Sequence, residues 1–278
     1  PEPAGDLPLA AMPAGAQVGS LVHDVFEAVD FAAADVDAEL AAALAQARGR
    51  RHVDLGDAAA VVAGLRAAIE TPLGPLAGGR ALRDVPRGDR LDELAFELPL
   101  AGGDRPAGAV SVHAIAALLR RHLAPGDPLH GYADRLDDPA LAATVRGYLT
   151  GSIDCVLRAG DRFLIVDYKT NRLGAPGRPV RAEDYAPAAL ADAMQRAHYP
   201  LQALLYGVAL HRYLRWRRPG YDPGRDLGGV LYLFVRGMTG PDTPRAGDVP
   251  YGVFSWRPPA GLIADLSDLL EQGGEAAA

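Results

Sequence analysis

The chain has 278 residues, 49% of them hydrophobic and 23% charged, which fits one large globular domain or two small ones and excludes a disordered, collagenous or coiled-coil chain. A single cysteine, Cys155, leaves no disulfide framework and no four-cysteine zinc or iron–sulfur site. The formal charge of −7 argues against capture of nucleic acid by the surface as a whole, though a local basic channel remains open. No apolar run reaches the length of a membrane span and the start does not read as a signal peptide, so a reducing, cytoplasmic setting with no membrane partner is expected.

In chain order, residues 1–16 are rich in Pro, Ala and Gly and begin without Met, so they read as a linker from a missing upstream region. Leu21, Val22, Val25, Phe26 and Val29 then follow helical spacing over 19–31, and helical patterns recur over 36–48 and 57–70. A Pro/Gly/Arg-rich connection over 71–92 leads into an alternating strand from Glu93 to Leu100, followed by an apolar helix at about 110–123. Two strand-like runs, 148–158 and 162–169, flank Gly160 and Asp161, a pair suited to a tight hairpin turn. Helices divided by Pro200 occupy 183–218, Gly229 to Val235 reads as a buried strand, and Tyr251 to Trp256 as another. Residues 272–278 read as a flexible tail. Helices interleaved with a hairpin-bearing sheet indicate an α/β fold with a mixed sheet.

The basic residues carry a chemical signal. Of 28 Lys and Arg side chains all but Lys169 are arginine, and the only asparagine, Asn171, lies two residues beyond it. Arginine cannot replace lysine where a compact amine must sit beside a metal or change protonation. Lys169 closes the second arm of the hairpin. A two-residue turn pairs 159 with 162 and, counting back, Asp154 with Asp167. Alternation then puts Ser152, Asp154, Asp167 and Lys169 on one face with Val156, Phe163 and Ile165, opposite Ile153, Cys155, Leu157, Leu164, Val166 and Tyr168. Opposed carboxylates with Cβ atoms roughly 5 Å apart repel unless a proton or cation lies between them. Oxygen ligands of this kind suit Mg²⁺ or Mn²⁺. The bland reading of the same residues is a structural Asp–Lys pair with Asp154 solvated at a strand end.

The stretches GSIDCVL and FLIVDYKTNRLG resemble the nuclease core of the PD-(D/E)xK superfamily, and within it the C-terminal nuclease domains of the RecB family. The likeness continues through GSLVHDVFEAVDF at 19–31, DELAFELPL at 92–100, HYPLQALLYGVALHRYL at 198–214 and GGVLYLFVRG at 228–237. It implies a restriction-endonuclease-like α/β core, with a mixed central sheet flanked by helices and additional N-terminal helices, as a single nuclease domain over 17–271. It further implies that Asp154 and Asp167 are metal-binding carboxylates, Lys169 the catalytic lysine, the Tyr168 backbone carbonyl a further ligand and His23 a metal-associated histidine. Glu93 matches the acidic residue opening the third block; Glu97 is its competitor, and strand parity does not separate them. Gln202 and Tyr206 match a Gln-x-x-x-Tyr element that contacts the DNA backbone or supports Lys169.

The implied cofactor is Mg²⁺, with Mn²⁺ as a substitute and Ca²⁺ as a nonproductive or regulatory ligand. The implied activity is hydrolysis of phosphodiester bonds in DNA, chiefly single strands from an unwound duplex, during double-strand-break processing and recombinational repair in the bacterial cytoplasm. The chain carries no Walker A sequence, so unwinding is assigned to an upstream helicase region of the same polypeptide, with RecC-like and RecD-like subunits as partners. The alternative is a noncatalytic nuclease-fold module that binds DNA or partner subunits. Arg212, Arg215, Arg217 and Arg218 around Trp216 are expected either to line a strand path or to form a solvated helix end.

Overall fold

The computed structural model describes residues 7–100, 110–141, 144–145, 147–175 and 177–273. Three amphipathic helices come first, α1 (Ala16–Ala28), α2 (Val36–Arg50) and α3 (Ala58–Glu70). Asp35 and Asp57 cap the second and third by accepting from the Ala38 and Ala59 amides, which satisfies donors the helix cannot. Strand β1 (Arg90–Pro99) follows, then β2 (Val110–Ser111), α4 (Val112–His122), α5 (Tyr132–Leu136) and β3 (Thr144–Val145). The hairpin is β4 (Tyr148–Ala159) and β5 (Arg162–Lys169). Gly160 turns it with φ 63°, a value that favours glycine. After it come α6 (Pro187–Arg196), α7 (Tyr199–Arg217), α8 (Pro223–Asp226), β6 (Leu227–Phe234), β7 (Arg245–Ala246), β8 (Val249–Pro250), β9 (Val253–Trp256) and α9 (Ala260–Gln272). Pro200 stands in the first turn of α7, where its missing N–H costs nothing.

The central sheet has the order β1-β4-β5-β6-β9, with β5 and β6 parallel and the other neighbours antiparallel. β6 is apolar throughout because both of its faces are covered. One face packs on α1, α2 and α3 through Cys155, Leu157, Leu164, Val166, Tyr168, Leu231 and Leu233. The other packs on α4, α6, α7 and α9 through Val156, Ile165, Val230, Tyr232 and Phe234. This is the α/β architecture with a mixed sheet and N-terminal helices expected from the sequence.

Three expectations change. The segment 7–12 is not a solvated linker: Leu7, Leu9 and Met12 are buried and add to both cores, while 13–16 are exposed. Helix α9 lies outside the expected elements, although Leu262, Ile263, Leu266 and Leu270 bury one face of it, and it carries ordered chain to Gln272; the remainder of the expected tail, from 274, lies outside the described residues. Ile153 faces the α7 side together with Val156, not the side of Cys155. The alternation reverses at Asp154, opposite Glu93, whose φ of 50° is uncommon for a residue with a side chain. The β1–β4 ladder pairs Asp92 with Cys155 and Leu94 with Ile153 and skips the pair between them.

Candidate active site

The hairpin register is the one the turn dictates, from Ala159 opposite Arg162 to Cys155 opposite Val166, and there the ladder stops. Beyond it Asp154 and Asp167 are not a simple facing pair. The Asp154 carboxylate reaches across the opening and accepts a hydrogen bond from the Tyr168 amide at 2.9 Å. Asp167, next along β5, projects to the α7 side and is 1% exposed. The interruption of pairing on both sides of Asp154 thus opens the sheet where its carboxylate lies.

His23 reaches this opening from α1. Its Nε2 donates to the Tyr168 carbonyl at 2.8 Å and its Nδ1 lies 3.3 Å from Asp154 Oδ1. Burial lowers the histidine pKa, but the hydrogen bond and charge of Asp154, with Asp167 and the Tyr168 carbonyl, outweigh it and leave the pKa raised. α1 can approach β5 closely because residue 19 is glycine: a Cβ there would stand 3.3 Å from Thr170 Oγ1.

Lys169 enters from the other face. Its Nζ is 2.6 Å from Asp167 Oδ2 and donates to Gln202 Oε1 at 3.2 Å. The ammonium stands 4.2 Å from the Tyr199 ring centroid and 5.2 Å from that of Tyr232, positions suited to cation–π attraction. Gln202 is itself fixed, accepting from Tyr232 Oη at 3.1 Å and donating to Tyr206 Oη at 3.0 Å. The Gln202–Tyr206 pair therefore holds the lysine. Tyr199 and Tyr232 were not singled out in the sequence; the signal for Tyr199 is its spacing from Gln202 and Tyr206, which places all three along one side of α7.

Asp167 is buried, and its Oδ2 is ion-paired with the Lys169 ammonium at 2.6 Å. Burial pushes the Asp167 pKa up to about 6, against the lowering effect of Lys169, and Asp154 adds to the rise. Two neighbouring carboxylates, an imidazole and the Tyr168 carbonyl, which here accepts from His23, are donor groups of the kind a hard divalent cation takes. Among the described residues, however, no three His, Cys, Asp or Glu side chains form a closed set around one point. Lys169 sets a positive charge beside Asp167, and the raised pKa of His23 favours its protonated form beside Asp154.

A cleft of about 510 Å³ opens above these groups, lined by Ala14, Gly15, Ala16, Gly19, Ser20 and His23 on one side and by residues 168–172 and Tyr199 on the other. Glu93 is not among the groups meeting at Tyr168; it falls in the skipped position between the Asp92–Cys155 and Leu94–Ile153 pairs, and Glu27 of α1 has its pKa raised first by burial and then by Glu93. Glu97 pairs with Thr150, four residues farther along β1. The arginines around Trp216 are mostly engaged elsewhere: Arg212 binds Ser267 and Arg218 lies 3.4 Å from Asp226. Trp216 is 77% exposed and lies roughly 20 Å along α7 from Gln202 by helical rise.

Comparison with known proteins adds an independent line. The chain is 50% identical over 266 residues to the RecBCD enzyme subunit RecB of Mycolicibacterium smegmatis, covering 95% of this chain and 24% of that protein. Identity to the RecB subunit of Mycobacterium tuberculosis H37Rv is 51% over 278 residues, 96% of this chain and 24% of the relative. For the Escherichia coli K12 subunit it is 32% over 262 residues, 92% and 19% respectively. The chain thus spans about a quarter of the length of its mycobacterial relatives. The sequence profile of the PD-(D/E)XK nuclease superfamily matches residues 6–271, nearly the whole chain, so this protein belongs to the PD-(D/E)XK nuclease superfamily.

Proposed function

We propose that this chain is a Mg²⁺-dependent deoxyribonuclease domain that hydrolyses phosphodiester bonds in strands delivered by a RecBCD-type helicase, in double-strand-break processing and recombinational repair. The observation that carries the reading is the convergence of Asp154, His23 and the Tyr168 carbonyl beside the buried carboxylate of Asp167, which is ion-paired with Lys169. Asp154, Asp167, His23 and the Tyr168 carbonyl hold the metal in this proposal. Bound there, Mg²⁺ would supply charge neutralisation for the phosphate and a lowered pKa for water, and Mn²⁺, with the same ligand preference, would substitute for it. Ca²⁺ occupies the same oxygen ligands without supporting turnover, or acts as a regulatory ligand.

Lys169 stabilises negative charge as it develops on the phosphate, in a position fixed by Gln202 and the faces of Tyr199 and Tyr232. Glu93, in the skipped ladder position nearest Asp154, is taken as the third acidic residue in preference to Glu97, which pairs with Thr150 farther along β1, although Glu93 does not meet the other groups at Tyr168. The substrate strand lies in the cleft between α1 and residues 168–172. A net charge of −7 favours delivery of DNA over its capture by surface charge, so the upstream helicase region and RecC-like and RecD-like subunits supply the strand. No helix among the described residues is long and apolar enough to cross a membrane, and we place the activity in the bacterial cytoplasm. The test is cleavage of labelled single-stranded DNA by the full chain. Activity with Mg²⁺ that is lost on chelation and in Asp154→Ala supports the reading, whereas cleavage by that variant at the wild-type rate refutes it.

A further inference from the structure

We propose that Arg236 is a positioning residue for the cleft: its guanidinium locks the segment 9–13 to the chain leaving β5, and thereby sets the wall on which the substrate strand rests. Arg236 is the second residue beyond the apolar strand β6 and is 1% exposed. Its Nε donates to the Thr170 carbonyl at 2.8 Å, Nη1 to the carbonyls of Leu9 and Met12 at 2.8 and 2.7 Å, and Nη2 to that of Pro13 at 2.6 Å. No ion pair of Arg236 with a carboxylate is present among the described residues. A buried charge held by carbonyl dipoles alone is an expensive way to fill space. What it achieves is geometric, since a planar fork fixes the relative position of four carbonyls from two segments far apart in sequence.

Those two segments are the two sides of the cleft. Pro13 is followed by Ala14, Gly15 and Ala16, which line one side, and Thr170 belongs to the stretch 168–172 that lines the other. Thr170 is also next to Lys169 and two residues beyond the carbonyl that His23 contacts. The floor has a second anchor, because the Tyr185 hydroxyl donates to the Asn171 carbonyl at 2.9 Å and accepts from the Leu173 amide at 3.2 Å. The segment 9–13 is held besides by burial of Leu9 and Met12, so weakening the fork shifts the wall without unfolding the chain.

The inference rests on the nuclease reading, but its test does not depend on turnover. Arg236→Lys keeps the charge and loses the fork, while Ala14→Glu puts a negative charge on an exposed cleft residue outside the core. Each is made in the full chain, alone and combined, and compared with wild type by melting, DNA affinity in Ca²⁺, amide hydrogen exchange, and single-turnover cleavage in Mg²⁺. Arg236→Lys is expected to weaken DNA binding about tenfold and raise KM in step, with kcat changed less than about threefold, and to speed exchange over 10–19. Ala14→Glu should weaken binding about fivefold at an unchanged Tm, and less than about twofold in the Arg236→Lys background, because the wall has already moved. A lowered Tm with unchanged affinity and KM in Arg236→Lys overturns the proposal. So does an Ala14→Glu effect that is absent, or that multiplies fully with the other. If wild type binds DNA in Ca²⁺ and never cleaves in Mg²⁺, the nuclease reading fails, and the binding and exchange arms still decide the role of Arg236.

Discussion

Replacing Lys169 by arginine keeps the charge of the side chain proposed as the catalytic lysine and changes only its shape. The ammonium occupies a closed space, 2.6 Å from Asp167, 3.2 Å from Gln202 and 4.2 Å from the Tyr199 ring, with its side chain 12% exposed. A guanidinium is wider and planar, and it cannot meet Asp167 and Gln202 together without moving Tyr199 or Tyr232. Overfilling a packed site costs about 1–3 kcal/mol, which lowers Tm but leaves the fold. Misplacing a donor aimed at transition-state charge costs about 3–4 kcal/mol, a fall of roughly 10²- to 10³-fold in turnover. DNA affinity should change little, because positive charge remains at the cleft floor. Single-turnover cleavage with Mg²⁺, together with DNA binding in Ca²⁺, separates the two effects. Cleavage by Lys169→Arg within about threefold of wild type would show that charge alone matters there, and the argument from the single lysine would fail.

Two further outcomes follow from the same site. Asp167 has its folded pKa raised to about 6, so its ionisation opposes folding, and the contribution of its protonated form, fully present below the ordinary carboxylate pKa, is lost as pH rises through about 6. Asp167→Asn should therefore raise the Tm of metal-free protein at pH 8, by an amount equivalent to about 1 kcal/mol, with the gain shrinking toward pH 4; an unchanged or lower Tm at pH 8 in calorimetry would contradict this. His23 has a raised pKa and must give up a proton to serve as a ligand, so the Mg²⁺ concentration needed for half-maximal cleavage should rise as pH falls from 8 to 6. In His23→Ala the requirement should be about tenfold higher and should rise less steeply as pH falls, the remaining dependence coming from Asp167, and a titration identical to wild type would return the histidine to a structural role.

Local patterning determined a good part of this molecule. Helical spacing places α1, α2 and α3, and the Gly160 turn sets the β4–β5 register, because both depend on residues close in sequence. The lone lysine marks the strand that carries the proposed site. Tertiary structure decided how the site is assembled. Strict alternation put Asp154 and Asp167 on one face, whereas the break opposite Glu93 turns Asp154 into the opening between strands and leaves Asp167 on the α7 side. The contact of His23 with the Tyr168 carbonyl spans 145 residues, and that of Arg236 with the Leu9 carbonyl spans 227. No short-range period encodes such pairs. The same holds for residues 7–13, whose composition suggests a linker, and for the arginines near Trp216, whose spacing suggests a path for DNA. Burial of Leu7, Leu9 and Met12 and engagement of Arg212 and Arg218 depend on which surfaces fold against them, and a sequence window of one or two turns does not contain those surfaces.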